Sequence, residues 1–129
     1  MEISDDGTVI LHPHSPDIIS FRQFNANYDP SAVCPVLDKA LENAFSGSSE
    51  QIELFNQIMG YLMMNHTRYQ KCFFWIGVPS SAKSTFSMMV RRFCGEENVS
   101  SVELDDLGKR FGLAGLVNKT LNIVPDIRK

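Results

Sequence analysis

The sequence predicts an α/β fold: a mainly parallel sheet with helices on both faces, preceded by a small helical segment. Three short apolar runs, at 72–76, 99–104 and 120–124, have the length of buried strands. Helical patterns separate them, and strands that alternate with helices usually pair in parallel. We therefore expect residues 67–129 to form the core and residues 1–66 an extended and helical segment before it.

Composition describes an ordinary globular chain. Its 129 residues suffice for one core, and 43% hydrophobic content argues against disorder. No apolar run approaches the roughly 20 residues that span a bilayer, and the first residues are acidic rather than a signal segment. We expect a cytoplasmic protein with no membrane partner. A net charge of −3 gives no overall attraction to nucleic acid.

Cysteine and histidine spacing gives little support for a metal site. The chain has three cysteines, and an odd number without a C-x-x-C motif argues against a disulfide framework and a zinc site. We therefore predict core thiols at Cys34, Cys72 and Cys94. His12 and His14 can present two imidazoles on one side of a strand, but no third ligand is evident. An exposed turn is therefore the favoured interpretation.

Two helices are predicted before the core. Asp29 and Pro30 form a helix-entry signal, but Pro35 should confine regular helix to roughly 35–45, with a stop at Gly47. Ser48 and Gln51 then form a capping-box pattern for a second helix, in which Gly60 suggests close packing. Its buried face comprises Ile52, Phe55, Ile58, Met59, Leu62 and Met63.

The segment GVPSSAKST, residues 77–85, carries the strongest functional signal. It matches the phosphate-loop pattern G-x-x-x-x-G-K-[ST] except at Ala82, where the pattern has its second glycine. An ordinary glycine–proline turn is the alternative interpretation. The position of the segment, between a predicted buried strand and an amphipathic helix ending near Gly95, favours the phosphate loop.

Such a loop offsets phosphate charge with backbone amides at the positive end of a helix. Gly77 allows a sharp departure from the strand, Lys83 can reach the β- and γ-phosphates, and the Ser84 hydroxyl can bind Mg²⁺. The predicted nucleotide-binding residues are Gly77, Ser80, Ser81, Ala82, Lys83, Ser84 and Thr85.

Alanine at position 82 leaves two possibilities open. In right-handed backbone it adds only a methyl group near the phosphates. In left-handed backbone it costs roughly 1 kcal/mol or more, with a corresponding loss of affinity.

Asp126 is the second predicted catalytic residue, beside Lys83, and the second predicted magnesium ligand, beside Ser84. It follows the predicted strand 120–124, where an NTPase holds its metal. Its neighbour is Pro125 rather than another acid. A surface aspartate in a Pro-Asp turn is a nearly equal alternative.

Several segments together resemble a known family. They are HSPD (14–17), YDPSAVCPVLDKAL (28–41), IELFNQIMGYL (52–62), QKCFFWIG (70–77) and SVELDDLGKRFGLAGLVNKTLNIV (101–124). Their order and spacing resemble the C-terminal primase-helicase proteins of phages and plasmids, which are related to the poxvirus-type enzymes of helicase superfamily 3.

This resemblance implies a P-loop NTPase core of the AAA+ type, a hexamer that hydrolyses ATP with Mg²⁺ to unwind DNA during phage or plasmid replication. Gly77, Lys83, Ser84 and Thr85 match the family's phosphate loop, and Asp126 falls near its second acidic motif. The family's sensor, DNA-contacting hairpin and arginine finger would follow residue 129, and its primase domain would precede residue 1. We therefore expect a fragment, a split gene product or a decayed remnant that is inactive on its own, in the cytoplasm of a bacterial host or infected cell.

Two other functions remain open. One is a non-catalytic assembly or interaction module with a vestigial phosphate loop. The other is a small-molecule kinase, which needs an arginine-bearing lid that Arg91, Arg92, Arg110 and Arg128 do not convincingly form. Arg91, Arg92, Lys109 and Arg110 can also touch DNA phosphates, although a solvated helix face among acidic neighbours is the commoner arrangement.

Overall fold

The computed structural model describes residues 2–3, 8–17, 19, 24, 26–64 and 69–124. Within these ranges the chain is a mixture of short strands and helices. The strands are β1 (Glu2–Ile3), β2 (Val9–Ile10), β3 (Val99–Ser100) and β4 (Leu121–Asn122). The α-helices are α1 (Pro35–Ala44), α2 (Ser49–Met63), α3 (Lys83–Cys94) and α4 (Leu104–Leu107), with 3₁₀ turns at Glu96–Asn98 and Gly112–Leu116.

The parallel pairing that the sequence predicts is present between β3 and β4. Val99 pairs with Leu121 and Ser100 with Asn122, whereas β1 and β2 form a separate antiparallel pair. Each strand is only two residues long. The described chain is therefore α/β with a parallel strand pair, on a smaller scale than the sequence predicts.

The Asn122 side chain continues the β3–β4 pairing beyond its last ladder bond. Its Oδ1 accepts from the Ser100 hydroxyl at 2.9 Å and from the Val102 backbone N–H at 2.8 Å. Its Nδ2 donates to the Val102 carbonyl at 2.9 Å. One amide side chain thus bonds both the N–H and the carbonyl of Val102, in the way that the backbone of a paired strand would.

The first helices confirm most of their sequence signals. Helix α1 begins at Pro35, and the Gly47 N–H donates to the Glu42 carbonyl at 2.8 Å where the chain turns. Ser48 Oγ accepts from the Gln51 N–H at 3.4 Å and caps α2. The prediction for Gly60 was wrong, because a side chain there would meet no atom within 4 Å.

Asp29 does not begin a helix. Its carboxylate accepts from the Ser31 N–H at 2.9 Å and the Ser31 hydroxyl at 2.7 Å. These bonds close a local turn, and they lower the pKa of the Asp29 carboxyl.

Helix α3 joins two buried clusters. Phe86, in its first half, packs with Leu41 of α1 and Phe55 of α2. The second half packs into another cluster, whose buried members are Leu62, Val90, Cys94 and Val99. One apolar stripe on α3 therefore ties both preceding helices to β3.

The cysteine prediction holds for one thiol only. Cys94 is 1% exposed, and burial raises the pKa of its thiol to about 11. Cys34 and Cys72 are exposed, so the prediction that they are core thiols was wrong.

The predicted buried strand at 71–76 is not formed. This segment is exposed throughout and carries no strand. The Phe73 ring lies 6.2 Å from Tyr61, and the Trp75 ring lies 6.2 Å from Phe55. Ile76, by contrast, is 94% exposed. The segment thus has one side against α2, and among the described residues no strand pairs with it.

None of the helices in the described ranges has the length and apolar character that a bilayer crossing requires.

We expect Asn122→Ala to lower the free energy of unfolding by about 1 to 2 kcal/mol, because it leaves the N–H and the carbonyl of Val102 without their partner and leaves the Ser100 hydroxyl only its bond to the Leu121 carbonyl. Asn56→Ala removes the same side chain from an exposed position on α2 and should change stability by less than about 0.5 kcal/mol. Urea unfolding of both variants measures the difference. Equal stability of the two variants would contradict the role given to Asn122.

Candidate functional site

The loop at 77–82 is a tight turn that leads directly into α3. The Ser81 N–H donates to the Val78 carbonyl at 3.3 Å, and the Phe86 N–H makes the first helical bond, to the Ala82 carbonyl at 3.0 Å. The amides that precede Phe86 on the first turn have no acceptor within the helix. They lie at its positive end, which favours an anion.

The backbone of the loop alternates in handedness. Ser80 has φ of 64° and Ala82 has φ of 61° with ψ of 9°, both in the left-handed region. Ser81 between them lies outside that region, and Lys83 after them is helical. Alternation of this kind is typical of backbone whose successive N–H groups converge on an anion.

Of the two backbone conformations considered for Ala82, the structure has the left-handed one. A non-glycine residue there is strained by roughly 1 kcal/mol or more, and Ser80 carries a similar cost. Local strain of this kind persists only where the surrounding structure enforces it. Here the Ala82 side chain packs against the cluster of Leu41, Phe55 and Phe86.

The Lys83 ammonium turns back into the loop. Nζ donates to the Gly77 carbonyl at 2.8 Å, to the Val78 carbonyl at 2.7 Å and to the Ser81 hydroxyl at 3.1 Å. The loop is thus folded around a positive charge. Sequence reasoning identified Lys83 but missed Val78 as one of its acceptors, because a backbone carbonyl has no sequence signal.

Gly77 leaves room for the Ser81 hydroxyl inside the turn. A Cβ at this position would lie 2.7 Å from Ser81 Oγ and 3.7 Å from Lys83 Nζ. Its φ is not positive, so glycine serves close approach rather than an unusual backbone conformation.

The seven predicted nucleotide-binding positions are neighbours in sequence, in the loop and the first turn of α3. Ser84 and Thr85 lie exposed on the first turn of α3, directly after the lysine. Asp126 and Pro125 lie outside the described residues. Among those described, no group of three or more His, Cys, Asp or Glu side chains could hold a metal ion, and His12 and His14 are exposed.

The basic side chains considered for DNA contact mostly have partners within the chain. Arg91 donates to Ser101 Oγ at 2.7 Å and pairs with Glu96 at 3.4 Å. Lys109 pairs with Asp106, and this hydrogen bond raises the pKa of the Lys109 amine. The Arg110 guanidinium lies 5.1 Å from the centre of the Phe111 ring.

No protein-family model, curated protein or solved structure matches this chain.

We expect Ala82→Gly to raise the free energy of unfolding by about 0.5 to 1 kcal/mol, because glycine adopts left-handed backbone without a Cβ penalty. Ala40→Gly, at an exposed helical position of α1, should lower it by a similar amount. Chemical denaturation of both variants checks the two signs. Destabilisation by both would contradict the cost assigned to Ala82, because the lost contact with the Leu41, Phe55 and Phe86 cluster would then outweigh the relief of strain.

Proposed function

We propose that residues 77–85 form a phosphate-binding loop and that the chain is the nucleotide-binding part of an ATP-dependent DNA primase-helicase. The observation that carries this proposal is the backbone at Ser80 and Ala82. Two non-glycine residues hold left-handed conformations on either side of Ser81, immediately before a lysine and a helix N-terminus. Such strain is often found at ligand-binding sites, and this backbone pattern is one that binds anions through its amides.

The chemistry of the loop suits a polyphosphate. The amides at the start of α3 and the Lys83 ammonium supply positive charge from a short stretch of chain. Mg²⁺ prefers oxygen ligands and is usually held by one or two protein groups together with substrate phosphates. The exposed Ser84 hydroxyl is an oxygen of this kind, and Asp126 is the second ligand proposed from the family resemblance.

The remaining parts of the proposal come from the sequence resemblance. They are a P-loop NTPase core of the AAA+ type with helices on both faces of a parallel sheet, a hexameric assembly, and translocation on DNA during phage or plasmid replication in the cytoplasm. The parallel β3–β4 pair and the position of the loop before α3 support this architecture, whereas the strand predicted at 72–76, directly before the loop, is not formed. Residues 1–129 alone are proposed to bind nucleotide weakly and not to unwind DNA.

We expect the chain to bind MgATP weakly, and Lys83→Ala to weaken binding at least roughly tenfold because it removes the ammonium from the loop. Lys39→Ala removes an equal charge from an exposed position on α1 and should bind as the wild type does. Isothermal titration calorimetry measures both. Failure of the wild type to bind at millimolar MgATP would refute the proposed function.

A second candidate function, assembly without catalysis, is favoured by the apolar surface of residues 73–78. Phe74 is 64% exposed, and Ile76 and Val78 are more exposed still. Large apolar side chains that are adjacent and exposed are typical of interaction surfaces.

If assembly is the function, we expect a defined oligomer by size-exclusion chromatography with light scattering, at the same mass with and without MgATP. Ile76→Lys should then dissociate it, because a charge would be placed in an apolar interface. Lys71→Glu, an exposed charge change in the same segment, serves as the control. A monomer under all conditions argues against this candidate.

A further inference from the structure

We infer that the Ser81 hydroxyl holds the place of a phosphate oxygen on the Lys83 ammonium and leaves it when a polyphosphate binds. This role depends on the proposed phosphate-binding function and describes how the free loop gives way to its ligand. It is carried by the three hydrogen bonds of Lys83 Nζ.

The ammonium of Lys83 is fully occupied in the free loop. A lysine side chain has three N–H donors and no acceptor. Lys83 directs them to Gly77 O, Val78 O and Ser81 Oγ. An anion oxygen can therefore reach Nζ only if one of these three acceptors is released.

Ser81 is the acceptor that can leave at least cost. The carbonyls of Gly77 and Val78 are parts of the main chain, and Val78 O also accepts from the Ser81 N–H at 3.3 Å. The Ser81 hydroxyl makes the longest of the three bonds, at 3.1 Å, and moves by rotation about one side-chain bond. Its release leaves the backbone of the loop in place.

The position of the hydroxyl also fits this role. Ser81 Oγ lies inside the turn, near both Gly77 Cα and Lys83 Nζ, in space that a Cβ at position 77 would enter. It is an uncharged oxygen beside an ammonium at the positive end of a helix, the place that a phosphate oxygen would take. Exchange of the hydroxyl for an anion replaces a neutral acceptor by a charged one.

The test is calorimetric titration with inorganic tripolyphosphate, which probes the loop without a nucleoside. We expect Ser81→Ala to bind roughly threefold to tenfold more tightly than the wild type, the change that one net hydrogen bond represents, because no intramolecular bond has to be broken. Ser87→Ala, the same substitution farther along α3, is expected to leave affinity unchanged.

A second measurement follows Lys83 itself. Acylation of its amine by a small reagent, mapped by mass spectrometry, should be faster in Ser81→Ala than in the wild type, and tripolyphosphate should slow it in both. Circular dichroism checks that each variant is folded. Equal affinity of Ser81→Ala and the wild type would overturn the inference. Weaker binding by Ser81→Ala would also overturn it, because the hydroxyl would then contact the bound anion directly. Failure of the wild type itself to bind would instead refute the phosphate-binding function.

Discussion

Burial of one apolar stripe on α3 is the constraint on which the described structure depends. Phe86 joins the helix to α1 and α2, and Val90 and Cys94 join it to the end of α2 and to β3. Because both clusters hold the same helix, its first turn is fixed relative to the chain before it. The loop residues at 80 and 82 can then be kept in left-handed backbone, since strain at a surface turn is otherwise relieved by rearrangement.

This arrangement separates the parts of the site that are fixed from those that can move. The amides belong to the main chain and to α3, so they are positioned before any ligand arrives, which lowers the ordering cost of binding. The lysine, by contrast, is held by three oxygen atoms of the loop. In the proposed site, the main-chain groups are therefore in place before an anion binds, and only the Ser81 hydroxyl has to leave Lys83.

Packing of α3 does not cover residues 73–76, the segment before the loop. Phe73 and Trp75 contact aromatic rings of α2, but Phe74 and Ile76 on the other side face away from the described core. A strand of this composition is stable when sheet partners satisfy its backbone and cover its second face. Residues 73–76 therefore bury only one of their two sides. The other side is an exposed apolar surface directly before the phosphate loop.

Local chemistry in the sequence determined the helices and their ends. The capping serine at 48, the turn at Gly47 and the periodic apolar residues of α3 act over a few residues, so their pattern is sufficient to predict them. The grouping of the seven loop positions was also predictable, because all of them lie between residues 77 and 85. Only the tertiary structure decided the left-handed backbone of Ala82, the three acceptors of Lys83, the exposure of Cys34 and Cys72, and the unpaired state of residues 71–76. The exposure of the two cysteines and the unpaired state of residues 71–76 depend on which distant groups pack or pair with them. The acceptors of Lys83 are near in sequence, but which of them its ammonium reaches follows from the folded shape of the loop, which no residue pattern specifies.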